Sequence, residues 1–155
     1  MADYFLKLDG VPGESTDQKH KNEIELVSFS WGVARSGQSA RGGGAGRPEF
    51  KGFEFLMKVN KASPQLFLAA VTGKHIKWAT LSVRRAGKTA LEYLKIKLED
   101  VLVSSYDQAA DEDPPYELVA FDFGRIEIEY TQRKARGAAG DRVKAGWDLK
   151  KNSKI

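Results

Sequence analysis

Two histidines, His20 and His75, are the only imidazoles in a chain of 155 residues that has no cysteine. His20 sits in "DQKHKNE", with Asp17 three residues before it and Glu23 three after. A metal would need two or three further ligands there, and thiolate is not available. The ordinary reading of His20 is a solvated loop or a local hydrogen bond. His75 follows Gly73 and Lys74 after a helix-like segment, which suits a helix-terminal cation or a contact between subunits.

Other short motifs fall short of the chemistry they suggest. "GKT" at Gly87, Lys88 and Thr89 has the ending of a phosphate-binding loop, but Ser82 stands where that loop needs its earlier glycine. The strand-like "LEYLKIKL" follows where a helix should, so a hairpin turn is expected. The glycines at 42 to 46 also lack a following helix whose N-terminus would hold phosphate. Glu127 and Glu129 pair on a strand face, and Asp111, Glu112 and Asp113 lie in a charged loop. Neither setting offers the burial that raises a carboxyl pKa for acid catalysis. No serine stands in a nucleophile elbow. No catalytic, cofactor-binding or metal site is expected.

The elements that would position these groups are mostly strands. Tyr4, Leu6 and Leu8 alternate with Phe5, Lys7 and Asp9, the period of two that buries one face. The same pattern runs through Phe53, Phe55, Met57 and Val59, through Leu94, Ile96 and Leu98, through Ile126, Ile128 and Tyr130, and through Val143, Ala145, Trp147 and Leu149. Two segments change phase. Ile24 and Leu26 give way to Val27, Phe29 and Trp31, and Ile76 and Trp78 to Leu81 and Val83. Each change requires a bulge or a strand passing between sheets. One helix is legible: Ser63 as N-cap, Pro64 at the first turn, "QLFLAAVT" as the body and Gly73 as the stop. Leu66, Phe67, Ala70 and Val71 form its expected core face, and Leu68 points away, toward a possible second subunit. The expectation is one domain over 1–155, mainly β, a two-sheet barrel-like fold with one short helix and an extended glycine-rich loop.

Two loops and the charge distribution complete the picture. Residues 36 to 49, "SGQSARGGGAGRPE", hold five glycines and no large apolar side chain, and "YDQAADEDPPYE" at 106 to 117 reads as an acidic surface excursion. The net charge is +4, yet residues 132 to 155 carry eight Lys or Arg against two Asp, so the body is slightly acidic. Neither a secretory leader nor a membrane anchor is expected from "MADYFLKLDG" and the short apolar runs.

Taken in order, "GESTDQKHKNEIELVSFSWG", "SPQLFLAAVTGKHI", "LSVRRAGK", "EYLKIKLEDVLVSSY", "FGRIEIEYTQ" and "GWDLKKN" make the chain resemble the hemolysin-coregulated protein family, Hcp, the tube component of bacterial type VI secretion. The resemblance runs from about residue 3 to residue 152. It implies a homo-hexamer closing into a ring, rings stacking into a tube, effector proteins held in the lumen, and assembly with a VgrG-type spike and a contractile sheath. It also implies folding in the bacterial cytoplasm, then export through the apparatus without a signal peptide. Ser28 and Ser30, opposed to Phe29 and Trp31, become candidates for the lumen wall. Gln38, Arg41, Gly42, Gly43, Gly44 and Arg47 become candidates for a ring-stacking loop, and Leu68 and His75 for a protomer interface. Some relatives carry a toxin domain after the tube unit; with the chain ending at Ile155, none is expected here. The rival readings are a small basic β-barrel binding single-stranded nucleic acid and a hydrolase using the exposed carboxylates. Neither nucleic acid nor membrane insertion is expected.

Overall fold

A computed structural model describes residues 2–35, 47–85, 91–111, 113–134 and 139–155. Gln38, Arg41, Gly42, Gly43, Gly44, the "GKT" segment and Glu112 lie outside the described residues. The elements are β1 (Ala2–Leu8), β2 (Ile24–Leu26), β3 (Ser28–Arg35), β4 (Pro48–Lys58), α1 (Ser63–Thr72), β5 (His75–Arg85), β6 (Glu92–Ala109), β7 (Tyr116–Asp122), β8 (Arg125–Arg133), β9 (Ala139–Asp148) and β10 (Ser153–Lys154).

All strand pairs are antiparallel, and β6, 18 residues long, organises them. Its N-terminal half lies between β5 and β8, and its C-terminal half pairs with β7. One sheet therefore runs β10-β9-β8-β6-β5-β1-β2, and a second runs β3-β4-β7-β6. β2 pairs with β1, while β3, one residue later, pairs with β4. The two ends of the strand path thus lie in adjacent residues of the chain, which gives the fold its barrel-like form.

Inside, alternation does what the sequence suggests. Phe53, Phe55, Met57 and Phe121 are fully buried with Leu6, Ile24, Leu81, Ile96 and Leu98. Phe55 meets Phe121 edge to face at 5.1 Å, and Phe29 stacks on Phe53 at 5.8 Å. Burial of this many large side chains, each worth roughly 1.5–3 kcal/mol, is the main stabilising contribution. At β2–β3 the phase change occurs as the strand leaves β1 for β4, with Val27 between them 46% exposed rather than buried. At β5 the pairing with β6 keeps one register past Trp78, so no extra residue is inserted there. Instead Ile76 with Val101 and Ala79 with Leu98 are buried pairs of opposite parity. The change of buried face coincides with Asp100, at φ 55°, where β6 exchanges β8 for β7.

Several expectations need correction. Ala62, not Ser63, occupies the N-cap of α1, because the Ser63 hydroxyl is drawn inward to other partners. The helix buries Ser63, Leu66 and Ala69, while Phe67 and Val71, expected in the core, are exposed. Gly73 ends the helix at φ 70°, its N–H donating to Ala69 O at 3.0 Å, a conformation that costs other residues more. Phe5, on the expected polar side of β1, is buried because the 9–23 segment folds over it. In that segment Gly13 crosses so near the chain that a Cβ would lie 2.5 Å from Glu23 O. On β9 the apolar parity is covered only at its far end, where Trp147 and Leu149 pack against the core, while Val143 is 65% exposed and Tyr130 on β8 is likewise open. The acidic loop is shorter than expected, since Tyr106–Ala109 belong to β6 and Tyr116 and Glu117 to β7.

Candidate functional site

The β3-β4-β7-β6 sheet has two unlike sides, and register assigns each residue to one of them. Phe29, Phe55, Val119 and Tyr106 form one cross-strand row and face the core. The neighbouring rows point the other way: Ser28, Leu56, Leu118 and Asp107 form one, and Ser30, Glu54, Ala120 and Ser105 the next. Ser28 and Ser30 are both exposed. The outer side is thus a wall of mostly small or polar side chains, with Leu118, 42% exposed, as its largest open apolar group.

A second surface is the outward side of α1, where Phe67, Leu68 and Val71 are 53%, 57% and 67% exposed. What anchors this helix is a carboxylate that the sequence reading left in the acidic loop. Glu117 has no exposed surface. Its Oε1 accepts the Ser63 hydroxyl at 2.5 Å, and its Oε2 accepts the Tyr106 hydroxyl and, at 2.7 Å, Gln108 Nε2. Three donors, none of them a cation, satisfy the buried carboxyl group. Burial, then the bond to Glu117, pushes the Tyr106 phenol up to about 12. The clue in the sequence is parity, since Glu117 shares its strand face with Val119 and Phe121.

His20 is not in a solvated loop. It is 6% exposed and stacks on Phe5 at 4.4 Å with the rings 8° from parallel. Its Nδ1 lies 2.9 Å from Glu23 Oε1, the local bond expected, and its Nε2 contacts Glu92 at the start of β6. Both ring nitrogens thus face carboxylate oxygens. Arg84 lies 4.9 Å from the Phe5 ring and binds Asp3 at 3.2 Å and both oxygens of Asp17. The Arg84 hydrogen bond, opposed by burial, lowers the Asp17 carboxyl to about 2. This cluster fastens the 9–23 segment to β1, β5 and β6.

His75 binds Asp100 Oδ1 through Nδ1 at 2.7 Å instead of capping α1, and Lys150 contacts the other Asp100 oxygen. The Lys150 and His75 hydrogen bonds hold the Asp100 carboxyl below its ordinary range. Arg47 is exposed and borders a shallow groove with Phe50, Trp147, Leu149 and Asn152. Glu127 pairs with Lys144 at 3.3 Å on the outer side of the other sheet, and Glu129 stands opposite Lys144 in the ladder. Asp111 and Asp113 are exposed. Among the described residues no three His, Asp or Glu side chains form a metal-binding group, and no helix is long and apolar enough to cross a membrane.

What stands out among the described residues are two surfaces, the outer side of the β3-β4-β7-β6 sheet and the open side of α1. Residues 5–130 match the family described as "Type VI secretion system effector, Hcp". The chain belongs to the Hcp family of type VI secretion tube proteins. Protein hcp1 of Pseudomonas aeruginosa is 38% identical over 97% of both chains. The crystal structure of Hcp1 from Salmonella typhimurium is 34% identical with a TM-score of 0.82, covering 100% of each chain. A solved type six secretion system protein is 30% identical with a TM-score of 0.93, also over 100% of each. A type VI secretion system effector from Yersinia pestis, 34% identical, aligns over 94% of this chain and 99% of its own at a TM-score of 0.78. The two-sheet, one-helix Hcp architecture is therefore that of this chain, and its role is that of a structural, secreted component of the type VI system.

Proposed function

We propose that this Hcp-family chain closes into a hexameric ring, that rings stack into a tube, and that the outer side of the β3-β4-β7-β6 sheet becomes the lumen wall against which effector proteins lodge. The role is architectural rather than catalytic. The protein folds in the bacterial cytoplasm and leaves through the apparatus, with a VgrG-type spike ahead of the tube and a contractile sheath around it. Ser28 and Ser30 are the proposed lumen positions, Leu68 and His75 belong to contacts between protomers, and Gln38, Arg41, Gly42, Gly43, Gly44 and Arg47 to contacts between rings.

The observation that carries this reading is the side of α1. Three large apolar residues in one and a half turns are each more than half exposed, although the helix is firmly anchored by Leu66, Ala69 and Ser63. Contiguous exposed apolar surface marks a contact with another molecule. A ring supplies that contact by joining one patch of each copy to a different patch of the next. Native mass spectrometry of the purified protein tests the proposal. A closed oligomer at micromolar concentration is expected; a monomer persisting at every concentration and ionic strength would overturn it.

A further inference from the structure

A small groove opens where the start of β4, the end of β9 and the turn into β10 meet. Arg47, Pro48 and Phe50 line it from one side and Trp147, Leu149 and Asn152 from the other, around about 180 Å³. The strand period sorts the charges near it. Pro48 and Phe50 share the face of β4 that lines the groove, so Glu49 between them points to the opposite face. Asp148 lies in the same way between Trp147 and Leu149, and its carboxylate is turned to Arg125 and to the Lys151 N–H, the latter at 2.9 Å. Among the described residues Arg47 is therefore the only charged side chain in the lining. It is exposed and forms no ion pair with any of them.

The walls are fixed and one of them is incomplete. Phe50 meets Phe123 edge to face at 6.0 Å, Trp147 and Leu149 pack against the core, and the Leu149 N–H donates to Gly124 O at 2.8 Å. The Trp147 indole N–H, however, is buried with no acceptor among the described residues. Buried donors in native proteins are nearly always paired, so this wall lacks an acceptor that its described neighbours do not provide. An apolar cleft with one unpaired cation, an orphaned N–H and the Asn152 amide at its rim suits an anion with a hydrocarbon body. Its volume is well below the roughly 300 Å³ at which drug-sized sites begin, which limits that body to about one side chain. We propose that the groove binds a monocarboxylate bearing a single short apolar group, its oxygens taken by Arg47 and the Trp147 N–H and its hydrocarbon seated on Pro48, Phe50 and Leu149. That chemistry is shared by the C-terminal residue of a polypeptide and by a small branched or aromatic acid. The lining residues belong to one chain, so the site exists whether or not rings form.

The three tryptophans, Trp31, Trp78 and Trp147, give separate indole N–H signals in a proton–nitrogen correlation spectrum. Trp147→Phe identifies the one of interest, or Trp31→Phe and Trp78→Phe identify it by exclusion. The full-length labelled protein is titrated with N-acetyl-leucine, with isocaproate and with N-acetyl-leucinamide, which lacks the charge. The Trp147 signal should move saturably with N-acetyl-leucine, and the amide should bind about tenfold or more weakly, the loss expected when a hydrogen bond to a charged group goes. Isocaproate binding as tightly as N-acetyl-leucine assigns the site to small acids, and weaker binding assigns it to a polypeptide C-terminus. Arg47→Gln, a change at an exposed position, should weaken N-acetyl-leucine by about tenfold while the Trp31 and Trp78 signals stay in place. A Trp147 signal that does not move at millimolar acid, an equal response to the amide, or undiminished binding by Arg47→Gln would each overturn the site.

Discussion

Glu117 and Asp17 show how differently two carboxylates act. Glu117 lies within the protein, and its removal leaves the Ser63, Tyr106 and Gln108 donors without their acceptor. An unsatisfied buried donor costs about 1–3 kcal/mol, so Glu117→Ala should lower stability by about 3 kcal/mol or more, seen as a fall in the urea midpoint. Glu117→Gln keeps the volume but turns an amide N–H₂ toward donors, and should fall between. Asp17 acts through its charge. Its carboxyl is lowered in the folded chain from 3.8 to about 2, so its contribution is fully present above 3.8 and is lost as pH falls through 2. The stability gap between wild type and Asp17→Asn should therefore be constant at neutral pH and shrink across that acid window. A gap that widened there would contradict the Arg84 pairing.

At the scale of elements, Gly73 gives a simple check. A side chain at φ 70° strains the backbone by roughly 1–2 kcal/mol, so Gly73→Ala should lower the thermal midpoint while leaving β6 and its partners intact by circular dichroism. The strands were legible because a period of two is a local signal: Phe53, Phe55 and Met57 declare their side without reference to anything distant. The position of α1 was legible for the same reason, from Pro64 and Gly73. Its buried side was not. The segment offers apolar residues around most of its surface, and only the sheet beneath it decides that Leu66 and Ala69 go in. The burial of Glu117 and His20 escaped because it depends on contacts made at long range, with Ser63 54 residues from Glu117 and Glu92 72 residues from His20; a charged residue reads as solvated until the fold brings its partners to it. Val143 misled in the opposite direction, since alternation announces that a face will be covered but not whether its own chain will cover it.

For the whole molecule, the candidate wall and the candidate joints occupy different places, so they can be perturbed separately. Ser30→Trp enlarges the exposed side of β3 without touching α1. It should leave the oligomer mass unchanged and reduce effector retained on affinity purification by about tenfold or more, since a ring repeats the obstruction at every protomer. Retention equal to wild type would remove Ser30 from the wall. Membership of the Hcp family was legible from the order of six short segments, none sufficient alone, whereas the surfaces through which such a protein works required the ladder registers.

The strand β6 is shared by both sheets and keeps its register with β5 across the point where its partners change on the other edge, so the two halves of the barrel are joined through one continuous backbone. A column of these units, driven endwise, would transmit the thrust as a rigid piston and reach its destination with every segment still folded.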